Sequence, residues 1–284
     1  MMMQRSFLSG IAAALASALL AACNGNGFNL GTTTGGTGLN STVRFLNGSP
    51  DVGTVDAYFG ATNTSAAASA LAYGAVSAYV SYPTQAFNVI ITASGTTTQK
   101  LTCTTALLGI YRYTIVIAGR AANGTGTSTG LQCQVFAEVP QAIPSGQEAL
   151  AVHHAAPAFA AGGNATLTFG TYTPGQSTYS APAASATFNG TLTTNATVGS
   201  TVYAILPGVT SGNGEGVYVA KQTSTAPSTV YATILPSQAA TGGAAGPGTN
   251  DVGNYLPSST SSLFDVYAVD AATAGNVALI AALD

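Results

Sequence analysis

Apolar and polar positions alternate in short runs along most of this chain, and turn residues punctuate the runs. Residues 42–60 set the pattern. Val43 and Phe45, then Val55, Ala57 and Phe59, take every second position of two runs, the period of half-buried β-strands. Between them Asn47-Gly48-Ser49-Pro50-Asp51 combines residues that tolerate positive φ with a fixed φ at Pro50, which is turn chemistry. The reading is a strand, a turn and a second strand paired as a hairpin. A looser echo opens at Leu150-Ala151-Val152-His153-His154-Ala155-Ala156-Pro157 and closes at Leu167-Thr168-Phe169-Gly170. Two copies of one opening predict two similar domains in tandem.

Further strand runs follow at 75–82, 87–91, 98–103, 111–118 and 131–138, then at 200–207, 217–220, 228–236, 263–269 and 277–281. The run 111–118 is the strongest, and 263–281 reads as a closing hairpin. Residues 64–71 are alanine-rich, and we read them as strand-like or irregular. Pro140, Pro144 and Gly146 mark a boundary, and 239–257 is a long Gly-rich, aperiodic loop. Many short strands separated by turn signals predict an all-β chain of two tandem antiparallel β-sandwich domains of immunoglobulin-like type. They would cover 42–143 and 144–284.

The first 41 residues follow another pattern. Arg5 is the only charge of a short n-region, and residues 7–22 are apolar and small. That is too short for the ~20 residues of a membrane span and suits a signal peptide, 1–22. The run ends Leu20-Ala21-Ala22-Cys23, which resembles the lipobox of bacterial lipoproteins. The resemblance implies lipid on Cys23 as the mature N-terminus, and Asn24 after it favours the outer membrane. Residues 23–41 then form a lipidated cysteine and a Gly/Thr/Asn tether, whose eighteen flexible residues reach roughly 23 Å.

Charged residues make up only 5% of the chain, far below the roughly 25% of an average soluble protein. Yet 46% is hydrophobic, which supports a packed core. Net charge is -3. Loss of 1–22 removes Arg5 and leaves five basic against nine acidic residues, a net of -4. Nucleic acid is therefore not an expected partner.

Several segments together resemble the bacterial family named domain of unknown function 4397: Val43-Arg44-Phe45-Leu46-Asn47-Gly48-Ser49-Pro50-Asp51, Val55-Asp56-Ala57-Tyr58, residues 71–79, and Tyr113-Thr114-Ile115-Val116-Ile117-Ala118-Gly119. The resemblance covers 42–120. It implies exported, all-β, often tandem domains with no established activity. Where the family usually has His, this chain has Asn47. The second copy has His154 at the aligned place, but Ala151 at that of Arg44 and Ala158 at that of Asp51.

The chain has no nucleophile elbow, phosphate loop, His-Glu-x-x-His or Cys-x-x-Cys. Candidate binding residues are Arg44, Asp51, Asp56, His153 and His154. Asp51 is expected to cap its turn by bonding backbone amides, and Asp56 to pair with Arg44 on a strand face. His153 and His154 are adjacent, so a strand points them to opposite faces and they cannot share a metal. Neither a metal nor a cofactor is expected. The thirteen tyrosines are what a glycan would stack on, although alternating tyrosines also serve as core edges. With Cys23 lipidated, Cys103 and Cys133 remain for a disulfide in an oxidising compartment. A disulfide needs Cα atoms within about 7 Å, whereas a strand between the two would hold them ~9.6 Å apart. The cysteine strands must therefore be neighbours or face each other across the sandwich. The reading is a lipid-anchored envelope protein acting as a binding, adhesion or structural module. Its partners are the membrane through the N-terminal lipid, and an envelope glycan or another envelope protein. The alternative is a glycan-acting hydrolase or carbohydrate-binding module.

Overall fold

The computed structural model describes residues 40–62, 65–107, 111–138, 147–172, 179–188, 197–198, 202–207, 216–234 and 263–283. The signal segment, Cys23, nearly all of the tether, the proline break at 139–146 and the 239–257 loop lie outside the described residues. By its internal contacts the chain from Gly38 to Asp284 is one compact unit.

Its first part holds β1 (Asn40–Asn47), β2 (Val55–Phe59), β3 (Ala68–Leu71), β4 (Val80–Pro83), β5 (Ala86–Ala93), β6 (Gln99–Ala106), β7 (Arg112–Ala118), β8 (Arg120–Thr125) and β9 (Gly130–Glu138). One sheet runs β9-β7-β1-β4, with β8 also on β9, and the facing sheet runs β3-β2-β5-β6. Val43, Phe45, Val55, Val89, Ile91, Ile115 and Ile117 fill the space between them. These are the alternating positions of the sequence, and the period of two is what delivers them all to one face.

The second part holds β10 (Gln147–Ala155), the short helix α1 (Pro157–Ala161), β11 (Thr166–Tyr172), β12 (Ala184–Thr187), β13 (Thr197–Val198), β14 (Val202–Pro207), β15 (Gly216–Lys221), β16 (Val230–Ile234), β17 (Leu263–Asp270) and β18 (Val277–Leu283). Its sheets run β14-β10-β17-β18 and β12-β11-β15-β16, while β13 joins the first part's sheet beside β9. Strand for strand this repeats the first plan, so the chain is a tandem of two β-sandwiches. The opening strand of each copy lies inside its sheet and pairs parallel with a late strand, as in Val43 with Tyr113 and Leu150 with Phe264. The other pairs of the shared plan are antiparallel.

The opening strands differ from the expected hairpin. β1 and β2 lie in opposite sheets, so residues 48–54 arch from one sheet to the other. Val43 and Phe45 from one side, and Val55 and Ala57 from the other, face a single core. Paired as a hairpin, the two strands would lie side by side in one sheet and leave the opposite one without its central strand.

The sandwiches also stack on each other. Leu46, Val116 and Phe136 on the outer face of β1, β7 and β9 pack with Tyr267, Val269 and Ile280 from β17 and β18. Every residue of β17 is consequently buried, as expected of strands covered on both faces. At Gly48 an added Cβ would lie 2.8 Å from Val269 Cγ1, so the arch needs glycine for close approach. Elsewhere Tyr218 lies over Gly170 and Tyr172 over Gly216 of the paired strand, where aromatic rings cover the gap left by a missing side chain.

The disulfide Cys103–Cys133 joins β6 to β9 across the first core, with Cα atoms 6.2 Å apart. Of the two arrangements left open by the sequence, the cysteine strands take the one that faces across the sandwich.

Candidate functional site

Among the described residues, the largest concentration of buried polar chemistry lies in the seam between the stacked sheets. Outward positions of β1, β7 and β9 contribute Arg44, Thr114 and Glu138; those of β10 and β17 contribute His153, Asp265 and Tyr267. All six are buried. Arg44 Nη2 donates to Asp265 Oδ2 in a short ion pair. Arg44 Nε donates to Thr114 Oγ1 at 3.0 Å, and Nη2 lies 3.4 Å from the Tyr267 hydroxyl. Tyr267 donates to Glu138 Oε1 at 3.1 Å. His153 Nε2 sits 2.9 Å from Asp265 Oδ1 and 3.7 Å from Glu138 Oε1. Facing two carboxylates, Nε2 carries the proton and donates. The His153 ring stacks on Tyr267, with centroids 4.4 Å apart and planes 14° from parallel.

Burial disfavours the Arg44 charge, but Tyr267, Asp265, Tyr79 and Glu138 more than offset this, so the guanidinium stays charged. Burial, with Asp265 and Glu138 beside it, holds the Tyr267 hydroxyl well above the usual tyrosine range. Donor atoms of Glu138, His153 and Asp265 lie within 4.8 Å of one another. A cation there would meet the guanidinium already seated on Asp265, so the arrangement is a buried ion-pair network. Its chemistry is to hold two sheets together, since removing one partner of such a pair leaves a buried charge uncompensated.

The other candidates lie apart from this network. The expected Arg44–Asp56 pair does not form. Asp56 instead accepts from the amides of Ala70 and Gly95 and the hydroxyl of Ser94. Burial pushes its carboxyl up, and these donors outweigh it and bring it below the ordinary value. Asp51 bonds amides, but those of β8 rather than of its own turn: Ala121 at 2.7 Å and Ala122 at 3.0 Å. Asp270 mirrors this in the second copy by accepting from Ala158 and Phe159 of the opening connection.

Asn47 and His154 do equivalent work. Asn47 Oδ1 accepts from the Ser49 amide while Nδ2 donates to the carbonyls of Gly53 and Leu71. His154 Nδ1 accepts from the Ala156 amide, again two residues on, while Nε2 donates to the Asn164 carbonyl at 2.9 Å. The ring is thus neutral, and burial lowers its pKa to about 4. The opposite-face argument for the two histidines holds: His153 enters the seam and His154 braces its own turn. Thr114, Glu138, Asp265 and Tyr267 were not among the sequence candidates. The available signal was Asp265 alone in the otherwise apolar run 263–269.

A model of the family described as "Domain of unknown function (DUF4397)" matches residues 41–162. That segment, which runs through the first sandwich and across β10 and α1, carries a domain of this family. No curated protein matches the chain. Among solved structures, one similar chain is the family 26 carbohydrate-binding module of Eubacterium rectale Amy13K, in complex with maltoheptaose. It is 10% identical, with 86% of this chain and 96% of that chain covered and a TM-score of 0.21. A superposition at that level bears on neither fold nor ligand.

Proposed function

We propose that this chain is a lipid-anchored envelope protein whose two sandwiches act as one rigid binding or adhesion module, with an envelope glycan or another envelope protein as partner. The supporting observation is where five of the nine acidic residues lie. Glu138 and Asp265 are enclosed in the seam, while Asp51, Asp56 and Asp270 hold backbone amides. A glycoside hydrolase needs two carboxyl groups about 5 to 9.5 Å apart on either side of an accessible substrate, and these five are committed to holding the fold. The seam network fixes one sandwich on the other, which suits a module that presents a surface. Leu20-Ala21-Ala22-Cys23 carries the anchoring, and two or more acyl chains hold a protein stably. Fractionation with fatty-acid labelling tests it: Cys23→Ser abolishes labelling and releases the chain from membranes, and unchanged labelling refutes it. Protease shaving of intact cells then decides which compartment supplies the partner.

A further inference from the structure

The two copies share one plan, so a feature present in only one of them is not required by the fold. At the open side of the first sandwich, the edge strands β3 and β4 belong to opposite sheets and leave a cleft of about 380 Å³ lined by Phe59, Ser65, Ala67, Val80, Ser81 and Tyr82. That size is at the lower end for small-ligand pockets. Phe59 and Tyr82 are half-buried and lie with ring centroids 3.9 Å apart. Phe87 braces both from within, at 4.8 and 4.9 Å.

The second copy carries different residues at the same place. Thr171 stands at the register position of Phe59, since the amides of Ala67 and Ala183 bond the equivalent carbonyls of Ala57 and Phe169. Ser180 takes both the Thr171 amide and its carbonyl. Leu206 stands at the position of Tyr82, as the pairings of Ser41 with Tyr82 and of Glu148 with Leu206 show.

We propose that this cleft binds a neutral sugar ring, as the ligand site of the binding module proposed above. The lining carries no charged side chain, which disfavours an ionic ligand that would lose its hydration without gaining a counter-charge. Two aromatic rings offer apolar surface to the CH face of a pyranose. The hydroxyls of Ser65, Ser81 and Tyr82 have no hydrogen-bond partner among the described residues and rim that surface. Aromatic surface and free hydroxyls in one lining suit the CH and OH groups that a sugar presents together. A purely apolar occupant would leave those hydroxyls unpaired on binding.

The test uses the full chain in a zwitterionic, sugar-free detergent, with maltose and cellobiose as probes and glucuronate and hexanol as controls. Saturation-transfer NMR and calorimetry report binding. We expect at least one disaccharide to receive saturation at its ring CH protons. Tyr82→Ala weakens that binding at least tenfold, Tyr82→Phe weakens it less, and Tyr231→Ala in the second sandwich leaves it unchanged. Absence of transfer to either disaccharide at 10 mM overturns the site. So does equal binding by Tyr82→Ala, or preference for hexanol or glucuronate. Membrane fractionation of the parent chain separates the two readings: a parent chain that is anchored but binds neither disaccharide refutes the cleft alone.

Discussion

Arg44 and Asp265 meet across the seam from the same row of one shared plan, one in each copy. In the first copy Arg44 pairs in register with Thr114; in the second Ala151 pairs in register with Asp265. Each copy thus keeps one charged residue of the row and replaces the other with a small or neutral one. Stacking the two sheets brings the two charges together. Neither copy could hold this pair alone, so the polar seam is a property of the tandem.

Removing one partner of that pair exposes its strength. Asp265→Ala leaves Arg44 and His153 without their shared acceptor in a buried site, a change that costs about 3 to 5 kcal/mol. Exchanging both residues, Arg44→Met with Asp265→Ala, recovers much of that loss. Urea unfolding of the two single variants and the double variant gives the coupling energy, expected above about 1 kcal/mol. Strictly additive losses refute the pairing.

The disulfide makes a second, independent contribution. The bond spans a separation of 30 residues, and a loop of that size is worth roughly 3 to 4 kcal/mol in the chain-entropy model. Peptide mass spectrometry of the unreduced protein is expected to recover the Cys103–Cys133 cross-link. The Cys103→Ala/Cys133→Ala variant melts lower by a corresponding amount. Two freely alkylated cysteines in native protein refute it.

Stacking also predicts how the first sandwich behaves alone. Expressed as 42–143, it exposes Leu46, Val116 and Phe136, which the second sandwich covers in the intact chain. Exposed apolar patches of this kind drive association. Sedimentation is expected to show a folded species that self-associates, and Phe136→Lys returns it to monomer. An unfolded fragment places the boundary elsewhere.

The strands were legible in the sequence because their inner faces alternate: Val43 and Phe45, or Leu101 and Cys103, announce a half-buried strand by period alone. Parity also separated His153 from His154. Pairing was not legible. Residues 47–51 carry turn chemistry suited to a hairpin or to an arch, and only the shared core of Phe45 and Ala57 decides between them. The seam was hidden for a related reason. Its residues occupy the outward positions of their strands, which a one-sandwich reading assigns to solvent. Comparing Arg44 with Ala151 place by place showed a missing charge, whereas the partner lay on β17 at Asp265.

His154 gives the fold a predictable acid response. Burial holds its folded pKa at about 4, against an unperturbed value of about 6.5. Between these values the unfolded chain binds a proton that the folded chain refuses, so stability from this group is full above about pH 6.5 and is lost as pH falls toward 4. The depression corresponds to roughly 3 kcal/mol at the lower limit. Asn47 performs the same bracing in the first copy with a group that does not titrate. His154→Asn therefore keeps an acceptor for the Ala156 amide while removing the proton linkage. Thermal unfolding from pH 7.5 to 4.5 is expected to show a shallower decline for His154→Asn than for the parent chain. Parallel curves would mean that another group sets the acid limit.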